Sequence, residues 1–170
     1  MPEDNAVSAI PTKILVPVDF SASSHAALET AAEMAKQFHA EIHLVHVIPS
    51  FPTTTLPDFA PEAKLIEAAR VDAERHFTTC QNDLATKGVK VSFSIETGAE
   101  VANQIVDVAE REHVDMVVIS THGVTGWYPL VFGSIAEKVV KLVHCPLLLL
   151  RTPRPESSAN VKSERLMEWW

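Results

Sequence analysis

The chain has 170 residues, of which 46 % are apolar, and a formal net charge of −8. This length suits one well-packed domain and is too short for two ordinary ones. The acidic balance argues against a surface built for nucleic acid or anionic lipid, although a backbone pocket for a single nucleotide needs no general positive charge. We therefore expect one soluble domain with neither a nucleic-acid nor a membrane partner.

Signals for export or membrane insertion are not recognisable in the sequence. The first ten residues, MPEDNAVSAI, contain neither a basic region nor an apolar core. No apolar run approaches the ~20 residues that cross a bilayer. Cys80 and Cys145 lack the spacing of zinc ligands and are interpreted as reduced packing residues. These features predict a cytoplasmic protein.

Five apolar runs are predicted to be strands, and segments with helical spacing separate them. The predicted strands cover residues 13–18, 41–48, 89–96, 116–119 and 146–150. The second helix is predicted to end at Gly88. Its predicted apolar face consists of Leu65, Ala69, Ala73, Phe77, Cys80 and Leu84. Residues 89–96 alternate apolar with polar side chains, which suggests an edge strand.

This alternation of strands and helices predicts right-handed βαβ units and an α/β fold, a five-stranded parallel sheet with helices on both faces. Ligands of such sheets bind beyond the carboxyl ends of the strands, where the strand order reverses. Asp19, Val47 and the turn at residues 120–123 each lie at or after the end of a predicted strand. We therefore expect them at one rim of the sheet.

The most informative stretch is 115–140, which holds Gly123, Gly126 and Gly133 between a strand and a helix. Ser134 precedes Glu137 by three residues, the spacing of a capping box, so the Ser134 side chain is predicted to cap this helix. A glycine loop that leads into a helix N-terminus can hold an anion such as a phosphate. The alternative is that the glycines only turn the chain. The stretch matches neither GxxxxGK[ST] nor GxGxxG.

Three blocks of the sequence resemble the universal stress protein family. They are KILVPVDFSASSHAAL, HLVHVI and STHGVTGWYPLVFGSIAEKVV, the last followed by HCPLLLLR. The ATP-binding members of that family carry a glycine, two residues, a second glycine, nine residues, and then Gly-Ser or Gly-Thr. Gly123 and Gly133-Ser134 match this pattern here, whereas Ser120 occupies the first glycine position.

The resemblance implies a Rossmann-like fold, of the adenine-nucleotide α-hydrolase-like type, with strand order 3-2-1-4-5. It covers about residues 12–151. We expect a flexible arm at 1–11, a universal stress protein domain at 12–152 and a C-terminal tail at 153–170. The Trp169-Trp170 pair in this tail is expected to be disordered, the alternative being that it packs on a dimer or binds a partner.

The resemblance also implies an ATP pocket. Pro17, Val18 and Asp19 would line its adenosine end, and the backbone of Val47 would meet the adenine. The ribose and phosphates would be surrounded by Ser120, Gly123, Gly133, Ser134 and the Ile135 amide. Mg²⁺ or Mn²⁺ would arrive with the phosphates, because no carboxylate cluster accompanies the loop. For Asp19, the alternative role is a cap on the next helix through the amides of residues 21–24.

Histidines and catalytic groups give weaker signals. His43 and His46 have a spacing that places them on opposite faces of a strand, so they cannot chelate one metal ion together. His122 lies in the glycine loop and is interpreted as an exposed loop residue, the alternative being contact with a phosphate. No nucleophile–base pair is recognisable, and the loop lacks a carboxylate or lysine to orient a water molecule for phosphoryl transfer. We predict no catalytic residues.

The leading functional hypothesis is a stress-response protein whose ATP occupancy stabilises one conformation or dimer, which an unknown signalling partner reads. Alternatives are a weak ATPase and a dimeric scaffold that binds no nucleotide. The resemblance implies a homodimer that pairs the last strands, residues 146–151. An apolar edge strand would otherwise expose open hydrogen-bonding groups.

Overall fold

A computed structural model describes residues 10–50, 61–121 and 133–151 of the chain. In chain order, the elements are β1 (Lys13–Pro17), α1 (Ala22–Phe38), β2 (Glu41–Pro49), α2 (Pro61–Thr86), β3 (Val91–Gly98), α3 (Val101–Arg111), β4 (Met116–Ser120), α4 (Ser134–Leu142) and β5 (Leu147–Leu150). The predicted alternation of strands and helices is confirmed.

The five strands form one sheet in the order β3-β2-β1-β4-β5, and every neighbouring pair is parallel. This confirms the expected fold class and strand order. The chain builds β1, β2 and β3 outwards on one side and then crosses to β4 and β5 on the other. The strand order therefore reverses between β1 and β4. The alternating third strand lies at an edge, as its pattern predicted.

Helices cover both faces of this sheet and produce two hydrophobic clusters. The first contains Ile14, Val16 and Leu44 together with Phe77 of α2 and side chains of α1. The second contains Leu15 and Val117 with side chains of α3 and α4. Consecutive residues of β1 thus enter opposite clusters, which explains why its sequence is a continuous apolar run.

Helix α2 differs from its predicted packing. Leu65 is 67 % exposed and Ala69 is only half-buried, so the fully buried positions begin only at Ala73. The helix has 26 residues and is about 39 Å long. Strand β3, with eight residues, spans only about 27 Å. The helix is longer than the strand it covers, so its first turns extend beyond the described part of the sheet.

The connection from α2 to β3 ends the helix as predicted but starts the strand two residues late. Gly88 has φ +78°, the left-handed conformation that glycine adopts most easily after a helix. The Val89 N–H donates back to the Leu84 carbonyl at 3.0 Å, so Val89 still belongs to the helix end. Strand β3 begins at Val91.

Across the described ranges, no helix combines the length and the hydropathy that a membrane span requires.

Candidate functional site

The candidate site lies at the carboxyl ends of β1 and β4, where the strand order reverses. Ile14 pairs with Met116 and Leu15 with Val117. Continuing this register puts Val18 beside Ser120, the last residue of β4. The helices that follow these two strands pack on opposite faces of the sheet. A crevice between two diverging connections is the usual ligand position in open parallel sheets.

The turn after β1 fixes Asp19. Its Oδ1 atom accepts hydrogen bonds from the Ser21 amide at 3.1 Å and the Ser21 hydroxyl at 2.5 Å. The Ser21 oxygen in turn accepts from the Ser24 amide at 3.2 Å and caps α1. Ser21 is therefore the N-cap of α1. The alternative role predicted for Asp19 was to cap this helix through the amides of residues 21–24. The structure shows part of it, because Asp19 accepts from the Ser21 amide and hydrogen-bonds the hydroxyl of the capping residue.

Strand β2 extends past β1 and turns part of its backbone toward the site. The Ile42 N–H donates to the Lys90 carbonyl on the β3 side. The Val45 carbonyl, in contrast, accepts from the Val18 N–H on the β1 side at 2.8 Å. Peptide groups along a strand alternate between its two neighbours. The peptide groups of Val47, two residues beyond Val45, therefore point to the β1 side. The paired register of β1 and β2 ends at Pro17 and Val45, so Val47 lies beyond it, at the rim.

Two histidines of β2 lie on opposite faces, as their spacing predicted. His43 is 3 % exposed, and its ring nitrogens contact the hydroxyls of Ser92 and Ser94 at 2.9 and 3.1 Å. His46 contacts the Val18 carbonyl through Nδ1 at 2.8 Å. Burial lowers the pKa of both rings below the ordinary histidine value. Among the described residues, no group of three or more His, Cys, Asp or Glu side chains could hold a metal ion.

The connection from β4 to α4 is closed by Thr121, a residue that sequence reasoning did not single out. Its N–H donates to the Leu150 carbonyl at 2.9 Å, and its carbonyl accepts from the Gly133 N–H at 2.8 Å. Thr121 is only 3 % exposed. The two ends of segment 122–132 therefore meet at the rim. Gly123 and His122 lie outside the described residues.

The N-terminus of α4 differs from the predicted capping box. Gly133 is the N-cap, without a side-chain cap, because the first helical hydrogen bond runs from the Glu137 N–H to the Gly133 carbonyl. Glu137 is thus one residue too late to reach back to the cap, and its carboxylate binds Lys141 at 2.7 Å. Ser134 is the first helical residue, so its hydroxyl is not the cap.

The start of α4 places backbone N–H donors at the rim of the sheet. The amides of Ser134, Ile135 and Ala136 have no acceptor within α4, because they precede the first helical hydrogen bond. Such amides, together with the helix dipole, favour an anion. The structure brings eight of the nine predicted site residues to this rim: Pro17, Val18, Asp19, Val47, Ser120, Gly133, Ser134 and Ile135.

Comparison with known proteins gives a family match over nearly all of the described chain. The model of the universal stress protein family matches residues 11–151. Universal stress protein MJ0531 from Methanocaldococcus jannaschii is 32 % identical over 144 residues, which cover 85 % of this chain and 84 % of that protein.

Solved structures agree with the sheet topology. The structure of the hypothetical protein MJ0577, from the same organism, is similar with a TM-score of 0.75 and 28 % identity, over 85 % of this chain and 99 % of that one. A universal stress protein from Archaeoglobus fulgidus, solved in complex with dAMP, has a TM-score of 0.53 and 23 % identity, over 82 % of this chain and 98 % of that one. At that identity the likeness shows the fold alone.

Proposed function

Because the chain belongs to the universal stress protein family, we propose that it binds ATP at the carboxyl rim and acts as a nucleotide-dependent regulatory dimer. One observation carries this proposal: the hydrogen bond between Thr121 and Gly133 holds the amides at the start of α4 at the end of β4, the strand next to β1. We assign the pocket to a domain of residues 12–152 that works in the cytoplasmic stress response and is read by a signalling partner.

The two halves of the site suit the two ends of a nucleotide. At the β1 side, Pro17 offers an apolar surface, Asp19 offers a carboxylate, and the Val47 backbone offers both a donor and an acceptor, whereas the Val18 side chain is buried in the first hydrophobic cluster. These groups match an adenine base and a ribose. The phosphate side comprises Ser120, Gly123, Gly133, Ser134 and the Ile135 amide. Backbone donors and a hydroxyl can hold phosphate oxygens without a lysine.

The fit to ATP rests on the donors at α4, whose amides lack helical acceptors. Mg²⁺ or Mn²⁺ would be held mainly by the phosphates, since Asp19 already binds Ser21 through one carboxylate oxygen. The dAMP complex of the Archaeoglobus fulgidus protein concerns a chain that shares this fold. It makes adenine nucleotides the first ligands to test.

Strand β5 supports the dimeric part of the proposal. The Pro146 and Leu150 carbonyls accept from Val117 and Thr121, so the peptide groups of even-numbered residues face β4. The peptide groups of Leu147 and Leu149 consequently face the open edge of the sheet. All four leucines of β5 are half-buried. Pairing of two such edges would bury apolar surface and satisfy the outward peptide groups.

Titration of the full chain with ATP and Mg²⁺ tests the proposal, together with chromatography of any nucleotide released from the purified protein. Gly133→Val is the probe variant. Gly133 has φ −55° and ψ 140°, which valine can adopt, so the change adds bulk where phosphate would approach. We expect wild type to bind and Gly133→Val to lose at least about tenfold in affinity, which is roughly 1.4 kcal/mol.

Val140→Ala is the matched control, because Val140 is an exposed residue of the same helix far from its N-terminus. It should bind ATP as wild type does. If wild type bound none of ATP, ADP and AMP in the presence of Mg²⁺, the nucleotide proposal would be wrong, and a dimeric scaffold would be the better account.

A further inference from the structure

The turn that carries Asp19 contains an uncommon backbone conformation. Phe20, the next residue, has φ +60°. This left-handed region is unfavourable for a bulky side chain, because its Cβ comes too close to the following carbonyl oxygen. Such a conformation persists only where surrounding structure holds it, and it occurs preferentially at functional sites. The contacts of Phe20 therefore bear on how Asp19 is positioned.

Within the described part of the chain, three rings from two other elements pack on Phe20. Its ring centroid lies 4.6 Å from that of His46 in β2, 5.1 Å from that of His76 in α2 and 5.7 Å from that of Phe77 in α2. All three pairs are tilted, with interplanar angles of 39° to 50°. Tilted aromatic pairs at these separations are favourable. The side chain that follows Asp19 is thus held between β2 and α2.

His46 also holds the residue that precedes Asp19. Its Nδ1 lies 2.8 Å from the Val18 carbonyl oxygen. A carbonyl oxygen can only accept, so Nδ1 carries the proton. The Val18 N–H donates to Val45, the neighbour of His46 in β2. The N–H and the carbonyl of Val18 are therefore both hydrogen-bonded to residues of β2.

We propose that His46 is a positioning residue for nucleotide binding, which holds Asp19 in place by donating its Nδ1 proton to Val18 and by packing its ring on Phe20. This inference rests on the proposed function. Burial lowers the pKa of His46 below the ordinary value, which favours the neutral ring. In the neutral ring, the bond to Val18 selects one tautomer, with Nε2 unprotonated.

Three substitutions separate this role from packing. His46→Leu removes the donor, and we expect ATP affinity to fall by about tenfold. His46→Asn puts an amide close to the position of Nδ1 and should keep affinity within about threefold. His46→Gln extends the amide toward the position of Nε2 and should behave as His46→Leu does.

His43→Leu is the matched control. His43 lies on the same strand and is buried, but it faces the opposite side of the sheet, where it contacts Ser92 and Ser94. Its replacement should lower stability and leave ATP affinity unchanged. Thermal melting of each variant separates a loss of folding from a loss of binding.

Long-range ¹H–¹⁵N correlation spectra of the imidazole rings give a readout that does not depend on a ligand. We expect the Nδ1-protonated tautomer for His46, and observation of the Nε2-protonated tautomer would overturn the inference. If His46→Leu failed to fold, equal affinities of His46→Asn and His46→Gln would also overturn it. Equal binding by wild type and all His46 variants would refute only this inference. Absence of binding by wild type would refute the proposed function as well.

Discussion

The Thr121 carbonyl accepts a hydrogen bond from the Gly133 N–H at 2.8 Å, so β4 and α4 are joined directly across segment 122–132. The α4 N-terminus is therefore tied directly to the end of β4. Gly133 is thus bound to Thr121 through its N–H and starts the helix through its carbonyl, which accepts from the Glu137 N–H. Ser134, one position later, keeps its hydroxyl available for a role other than capping.

Ser134→Ala is expected to weaken ATP binding without destabilising the protein. Because the hydroxyl does not cap α4, the free energy of unfolding should change by no more than about 0.5 kcal/mol. The dissociation constant for ATP should rise by about tenfold, the value of one hydrogen bond to a charged phosphate. Urea unfolding and ATP titration measure the two quantities.

Ser21→Ala is the control for the capping argument. The Ser21 oxygen accepts from the Ser24 amide at 3.2 Å, so its loss should cost about 1 kcal/mol. An equal loss of stability in Ser134→Ala would contradict the assignment of Gly133 as the cap.

The positions of the strands could be predicted because β1 and β4 are buried on both faces and have continuous apolar sequences. The capping box could not be judged in the same way. Ser134 and Glu137 have the required spacing, but Gly133 takes the N-cap position while its N–H is bound to Thr121, a contact between residues from two different parts of the chain. A local pattern therefore identified the helix correctly and its N-cap incorrectly.

Two further features, the exposed start of α2 and the ring contact of Phe20, depend on contacts that the spacing of apolar residues cannot reveal. The spacing of Leu65 in α2 indicates a face of the helix but not how far the sheet extends beneath it. Phe20 and His46 are separated by all of α1, and neither has a motif of its own, so their ring contact could be found only in the folded chain. A phenylalanine directly after the predicted site residue Asp19 was the one available signal.

Acidification should destabilise the protein partly through His43. Burial lowers the pKa of His43 in the folded state below 6.5, so the unfolded chain binds more protons as the pH falls through that value. Stability is then present above about pH 6.5 and is lost below it. His46 shifts in the same direction for the same reason.

Urea unfolding between about pH 7.5 and pH 5.5 checks this expectation. The free energy of unfolding should fall with pH in wild type, and His43→Gln should reduce the slope. His144→Gln, at an exposed position, serves as the control. An identical slope in His43→Gln and wild type would show that His43 does not contribute.

Gly88→Ala should destabilise the end of α2 for a purely conformational reason. Gly88 has φ +78°, and an added Cβ would meet no atom within 4 Å. The expected cost is about 1 kcal/mol, from placing alanine in the left-handed region. Gly88→Asn should cost less, because asparagine tolerates this conformation better. Equal losses for the two variants, measured by thermal melting, would point to a steric cause instead.

The dimer proposal predicts a specific effect of proline in β5. The Leu149 N–H faces the open edge of the sheet, so Leu149→Pro removes an outward donor while the bonds from β4 to Pro146 and Leu150 remain. The preceding Leu148 is already in a strand, as a residue before proline prefers. If two β5 edges pair, Leu149→Pro should be monomeric in sedimentation equilibrium and retain its circular dichroism spectrum.

Leu149→Val keeps the N–H and should remain dimeric. A dimeric Leu149→Pro protein would place the subunit contact elsewhere, and a monomeric wild type would remove the dimer from the proposed function.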